Sequence, residues 1–259
     1  MDRWDGGSDY EAFMGRWSRL VAEEYVHGLG VSHGLRWLDV GCGTGALLGA
    51  VLEFSHPVAA VGVDPSVEFA ATARARLGGQ ADIRVAGGED LPFADDSFDV
   101  VVSGLTLNFI PDPLAAVLEW RRVTAPHGSV GAYVWDYADG MESLRYFWDA
   151  AVAMDPAARH LDEAVRFPIC RPDRLADLFQ RADMSTVTVG SIEVVTAFAD
   201  FDDYWSPFLE GQGPAPNYVA ALSRSDRRRL EDRLRSTVPR SGDGTIDLSA
   251  TAWTVTGTL

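Results

Sequence analysis

Apolar residues recur along this chain in two alternating periods. Phe13, Trp17, Leu20, Val21 and Tyr25 stand three and four apart, which predicts a helix over 10–29 that stops at Gly28 and Gly30. Arg36–Val40 is a short buried strand ended by glycines, and Thr44–Phe54 returns to helical spacing through Leu47, Leu48, Val51 and Leu52. Pro57–Asp64 reads as a second strand. Ser66–Leu77 reads as a helix with Glu68 near its start and Arg74 and Arg76 near its end, matching the helix dipole. Asp82–Ala86 and Phe98–Ser103 supply a third and fourth strand. Asp112 and Pro113 then open a helix as cap and first residue, and Ser129–Trp135 is a fifth strand. Strand and helix in turn predict an α/β fold, a doubly wound and mostly parallel sheet covered on both faces.

Beyond Trp135 the rhythm loosens. Residues 142–154 and 172–182 have helical spacing, Thr186–Phe198 is a long strand candidate, and 201–235 holds two helical stretches split at Gly211–Pro214. Ala250–Leu259 alternates as a final strand. The two late strands are expected to form an antiparallel edge, bringing the count to seven. The links 136–185 and 199–249 read as helical insertions within a single domain, covering a site.

Composition narrows the function. The chain has 259 residues, 47% hydrophobic, with a net charge of −16, so a broad nucleic-acid surface is not expected. Every basic residue is arginine, which excludes Schiff-base chemistry on lysine. Cys42 and Cys170 form no disulfide framework, and His27, His33, His56, His127 and His160 show no metal-ligand spacing, so no metal is expected. The acidic start and the lack of an apolar run of about eighteen residues predict no membrane span and a cytoplasmic protein. The oligomeric state is not legible.

The strongest motif is Leu38-Asp39-Val40-Gly41-Cys42-Gly43-Thr44-Gly45, a strand running into glycines and then a helix. Glycines there let the backbone turn and approach a ligand, and the helix start offers free N–H groups. Gly41, Gly43 and Ala46 also satisfy a dinucleotide-binding pattern. Asp39 beside the loop favours a cationic ligand over a pyrophosphate. S-adenosylmethionine (SAM), with its ammonium and sulfonium, fits better than NAD. Asp64 ends the second strand, where a carboxylate can accept from ribose hydroxyls. The Glu89-Asp90-Leu91-Pro92-Phe93 stretch can border an adenine, with Leu91 and Phe93 beside its ring. Gly30-Val31-Ser32-His33-Gly34 matches a hydrolase elbow but lies between helix and strand, the wrong context. Arg224–Arg235 is a basic helix with Glu231 and Arg235 placed to pair.

LDVGCGTG, VGVDPS, EDLPFADDSFDVVVS and PHGSV, in that order, resemble the class I SAM-dependent methyltransferases, nearest to the methyltransferase type 11 or ubiquinone–menaquinone methyltransferase branch. The resemblance covers about residues 36–135 and extends less strongly to Tyr10–Arg19. It implies a seven-stranded Rossmann-like sheet with its last strand antiparallel, and SAM as cofactor with S-adenosylhomocysteine as product. It places Gly41, Cys42 and Gly43 along the methionine portion with Asp39 near its ammonium. Asp64 would hold the ribose, and Pro65 and Ser66 would flank the adenine. Gly88, Glu89 and Asp90 would border the adenine, and Ser103 to Leu105 would lie under the sulfonium. Tyr10, Met14 and Arg19 would come from a covering helix. The chain departs from the family at Ala86-Gly87-Gly88, where an acidic residue is common, and at Thr106–Phe109, where many relatives carry histidine or another aromatic.

The expected activity is methyl transfer to a small, apolar or aromatic acceptor by in-line displacement, with Asn108, Asp136 and Tyr137 as candidate catalytic residues. Aromatics at Trp135, Tyr137, Tyr146–Trp148 and Phe201–Phe208 are candidate pocket walls. An NAD(P)-dependent oxidoreductase and a non-catalytic SAM-binding protein remain the alternatives.

Overall fold

The computed structural model describes residues 15–210 and 213–259. Helix α1 spans Arg16–Gly28, strand β1 Arg36–Val40, α2 Ala46–Phe54, β2 Ala59–Asp64, α3 Val67–Leu77, β3 Asp82–Val85 and β4 Phe98–Gly104. Then come α4 at Pro113–Val123, β5 at Thr124–Trp135, α5 at Glu142–Met154, the short α6 at Glu163–Arg166 and α7 at Pro172–Arg181. Strand β6 spans Ser185–Phe198, α8 Phe201–Glu210, α9 Pro214–Ala221, α10 Arg224–Thr237 and β7 Ile246–Thr258.

The strands form one seven-stranded sheet in the order β3-β2-β1-β4-β5-β7-β6, as expected. β3, β2, β1, β4 and β5 pair in parallel. β7 is antiparallel to β5. Two backbone bonds fix that register, Leu259 N–H to Gly128 O at 3.2 Å and Asp136 N–H to Thr251 O at 2.8 Å.

Local chemistry sets the element ends. Ser66 Oγ accepts from Phe69 N–H at the start of α3, and Gly78 closes that helix in the left-handed region at φ 59°. Asp112 caps α4 through the Ala115 N–H, with Pro113 in the first turn. Two expectations are corrected. β5 starts at Thr124 instead of Ser129, since Phe98 pairs with Thr124 and Val100 with Ser129, leaving residues 125–128 bulged opposite Asp99. The stretch after Gly213 is two helices, because Leu222 closes the first and Ser223 caps the next through the Asp226 N–H. The Gly30–Gly34 segment lies between α1 and β1, so it is a linker.

The chain divides into two compact units. The larger comprises Ser18–Val134, Ile169–Ile192 and Ala252–Leu259. It buries Trp37, Leu38, Leu48, Val63, Val101, Val102, Trp120 and Phe179, and α4 packs on α7. Its Cys42, Leu48, Ala60, Ala70, Ala73, Leu77 and Ile83 form one apolar cluster where α2 and α3 meet β2 and β3. The second unit contains Trp135–Pro168 and Glu193–Thr251. Residues 169–185 fall within the larger unit.

Aromatic packing holds the second unit. Phe147 stacks on Phe208 at 4.6 Å and meets Trp148 edge-on at 5.0 Å. Tyr218 packs on Trp148, and the Tyr204 hydroxyl donates to Ser143 O at 2.9 Å. These rings are core of the unit.

Candidate active site

The glycine loop leaves β1 with three left-handed residues, Gly41 at φ 73°, Gly43 at 53° and Gly45 at 84°. Only glycine adopts such values in succession without strain. A Cβ on Gly41 would lie 2.1 Å from Thr106 Cγ2, so that glycine admits the β4 end. A Cβ on Gly43 would meet no atom within 4 Å, so the outer side of the loop is open. The loop is pinned from below, Gly41 and Cys42 N–H donating to Val63 O at 2.8 and 2.9 Å.

Asp64 ties the loop to β2. One carboxylate oxygen accepts from Gly43 N–H at 2.9 Å and the other from Ser66 N–H at 2.8 Å. Burial holds its pKa above the usual carboxylate value, and the Ser66 and Gly43 N–H groups offset only part of that rise. Asp39 is 1% exposed. Neither of its oxygens reaches a hydrogen-bond partner at standard geometry. Burial first, then the Asp64 charge, pushes its pKa up to about 8, and the Leu48 backbone N–H opposes this only in small part. A buried carboxylate without a partner is costly to the fold. It suits an arriving cation.

The other expected positions separate into several kinds. Cys42 is buried in the apolar cluster and its thiol pKa is pushed up, first by burial, so it is a packed side chain. Pro65 is exposed, and the Ser66 hydroxyl is taken up in capping α3. Ser103 is fully buried and donates to Val40 O at 2.8 Å, which leaves no free hydroxyl proton for a ligand. Leu105 is non-glycine at φ 57°, held by its N–H to Tyr133 O at 2.8 Å. Glu89 accepts from Asp112 N–H at 2.9 Å, and Asp90 is exposed. Leu91 is buried, and Phe93 packs edge-on against Phe98 at 4.9 Å. Arg19 lies on α1, half-buried. Tyr10 and Met14 lie outside the described residues.

Three further side chains brace the site. The Thr106 hydroxyl lies 2.9 Å from Gly41 O and 3.0 Å from Gly104 O, joining the β4 end to the glycine loop. Trp120 Nε1 donates to Gly88 O at 3.0 Å. Glu119 accepts from Leu91 N–H and pairs with Arg122, which also binds Leu91 O and Phe93 O. Only the Glu119–Arg122 spacing was a usable signal.

Of the catalytic candidates, Asn108 sits on the 3₁₀ turn Leu107–Phe109 after β4, with both amide atoms shielded and unpartnered. Asp136 and Tyr137 lie in the second unit. Asp136 Oδ1 accepts from Ala138 and Asp139 N–H at 3.1 and 3.3 Å, the geometry of a turn cap. Tyr137 is buried against Phe167 at 5.7 Å.

A sequence profile for a methyltransferase domain matches residues 38–131, the stretch that carries this loop. The chain is 32% identical over 169 residues to a demethylmenaquinone methyltransferase of Roseiflexus castenholzii, covering 59% of this chain and 69% of that protein. It belongs to the class I SAM-dependent methyltransferases. A demethylmenaquinone methyltransferase of Staphylococcus aureus strain JH9 is 33% identical over 117 residues, 44% of this chain and 47% of that protein. The chain thus spans about half the length of several curated relatives it matches. The fold is also that of Haemonchus contortus phosphoethanolamine N-methyltransferase 2, solved with phosphomonomethylethanolamine and S-adenosylhomocysteine. That likeness has a TM-score of 0.58 at 16% identity and covers 97% of this chain and 56% of the other. SAM is accordingly the cofactor of this methyltransferase, and the oxidoreductase reading finds no support among the matches. Among the described residues no helix is long and apolar enough to cross a membrane.

Proposed function

We propose that this methyltransferase holds SAM at the glycine loop of its larger unit and alkylates a small, apolar or aromatic acceptor. The observation that carries the donor site is Asp39, a buried carboxylate with both oxygens unpartnered beside a loop whose Gly43 side is open. Asp39 would meet the ammonium, Gly41 and Gly43 would line the methionine portion, and Asp64 would accept from ribose hydroxyls with the lone pairs its two backbone bonds leave free. Pro65, Ser66, Gly88, Glu89 and Asp90 would border the adenine. When bound, SAM supplies an electrophilic methyl group on a sulfonium, a leaving group that needs no further activation.

The protein's own task is then alignment, which contributes about 7–11 kcal/mol in well-oriented systems. Leu105, held in a strained conformation at the end of β4, fixes the backbone under the reacting centre. Exclusion of water favours a reaction in which the donor's positive charge is dispersed. A general base is needed only for an acceptor that arrives protonated. Asn108 is unsuited to that role, because an amide does not titrate in the physiological range. The apolar and aromatic character of the acceptor is supported by the relatives named for demethylmenaquinone.

The test is product analysis with trideuteromethyl SAM and a reduced 2-hydroxy-1,4-naphthoquinone, together with an organic-solvent extract of cells. Label in an aromatic or lipid-soluble product supports the reading. Label confined to water-soluble polar products contradicts it.

A further inference from the structure

The 3₁₀ turn Leu107–Phe109 follows β4 directly, and Thr106 ties its start to the glycine loop. Asn108, at the centre of that turn, has Oδ1 and Nδ2 both shielded from solvent, and neither has a hydrogen-bond partner. Buried side-chain polar atoms are nearly always paired, and an unpaired pair on one side chain is a net cost to folding. The fold does not require this cost. The turn is already held by Leu105 N–H to Tyr133 O, Phe109 N–H to Thr106 O and the Thr106 hydroxyl. Leu107 supplies the packing, fully buried. The orphaned amide therefore has the character of a group kept for a ligand, at the carboxyl end of a strand where α/β sheets bind their substrates.

We propose that Asn108 is a positioning and specificity-determining residue for the methyl acceptor, and that the acceptor presents a hydroxyl next to a second oxygen on one edge. This rests on the methyltransferase reading above. The amide is planar and offers one acceptor beside two donors. Oδ1 accepts a hydrogen bond from the hydroxyl of one acceptor oxygen, and Nδ2 donates one to its neighbour. A vicinal dihydroxy-aromatic edge or a hydroxy-carbonyl edge satisfies both atoms. A single hydroxyl satisfies one and leaves the other buried and unpaired, and that asymmetry is the source of discrimination. Asn108 neither gains nor loses a proton in this role. It fixes which oxygen lies in line with the methyl group.

The test uses protein saturated with S-adenosylhomocysteine and two stable probes, 2,3-dihydroxynaphthalene and 2-naphthol, titrated by calorimetry. The wild type should prefer the dihydroxy probe by at least about tenfold, the equivalent of one hydrogen bond. Asn108→Leu, close to asparagine in size, should erase the preference while S-adenosylhomocysteine affinity stays within about twofold of the wild type. Should the leucine variant fail to fold, Asn108→Ala reports the same loss. A wild type without the preference, or a variant that retains it, overturns the proposal. So does a variant that loses S-adenosylhomocysteine affinity by the same factor, which would place Asn108 in the donor site. Failure of the wild type to bind S-adenosylhomocysteine at all would instead sink the donor-site reading beneath it.

Discussion

Asp64 and Gly43 are joined by a hydrogen bond of 2.9 Å from the glycine's N–H to the carboxylate. The same carboxylate holds Ser66 N–H at 2.8 Å, so one side chain fixes the glycine loop and the turn into α3 together. Replacing Asp64 by Ala removes both restraints and the ribose acceptor. SAM affinity should fall by roughly 1.5–3 kcal/mol, the usual worth of hydrogen bonds to a charged group. Titration with S-adenosylhomocysteine measures this, and an unchanged affinity would remove Asp64 from the site.

Gly41 and Gly43 should separate stability from binding. A side chain at Gly41 collides with Thr106, while one at Gly43 enters open space on the loop's outer side. Gly41→Ala should lower the melting temperature strongly. Gly43→Ala should cost only the left-handed backbone penalty of about 1–2 kcal/mol and should hurt S-adenosylhomocysteine affinity more than stability. Thermal melts with and without ligand distinguish the two patterns, and equal effects of both substitutions on stability would refute the open-side geometry.

Glu163 should make stability depend on pH. It is buried, accepts from Trp148 Nε1, and lies beside the Arg145–Asp162 ion pair of 2.5 Å. Burial raises its pKa to about 7 from an ordinary 4.5, against the smaller lowering pulls of its backbone bond, Trp148 and Arg145. A carboxyl held above its unfolded value favours the folded state at low pH, and that advantage is lost as pH rises from the unfolded pKa through the folded one. Stability should therefore decline between about pH 4.5 and 7 on this account. Glu163→Gln keeps an oxygen for Trp148 and should raise stability at pH 8 by up to about 3 kcal/mol, measured by denaturant melts. A variant less stable than the wild type at pH 8 would contradict this.

The central α/β stretch was largely legible. Arg36–Val40 was read with its observed ends, and Ser66, Gly78 and Asp112 signal their helix boundaries through capping chemistry that acts within a few residues. The early start of β5 was hidden because Pro126, His127 and Gly128 read as a loop. They do form an irregularity, with His127 at φ 65°, but pairing with β4 overrides local preference on either side of it. For the second unit the sequence predicts helical links, and local spacing does not separate its aromatic core from a pocket wall. Hydrogen-bond satisfaction was invisible throughout. That Ser103 is consumed by Val40 O while Asp39 and Asn108 stand unpaired depends on contacts between distant segments, which no local pattern encodes.

Asp39 carries the account's central claim, that a cationic methyl donor is held at the glycine loop by a buried carboxylate. Burial raises its pKa to about 8, so the free site carries a proton that must leave when the ammonium binds, and SAM affinity should increase as pH rises from about 5.5 to 7, below the range of about 7.7–8 where an α-amino group loses its own proton. The decisive measurement is calorimetric titration of SAM into wild type and Asp39→Asn across that range. The account predicts one SAM bound per wild-type chain, tighter at higher pH, and at least about tenfold weaker, pH-independent binding by the variant. Equal affinity of the two proteins at pH 7 would contradict it.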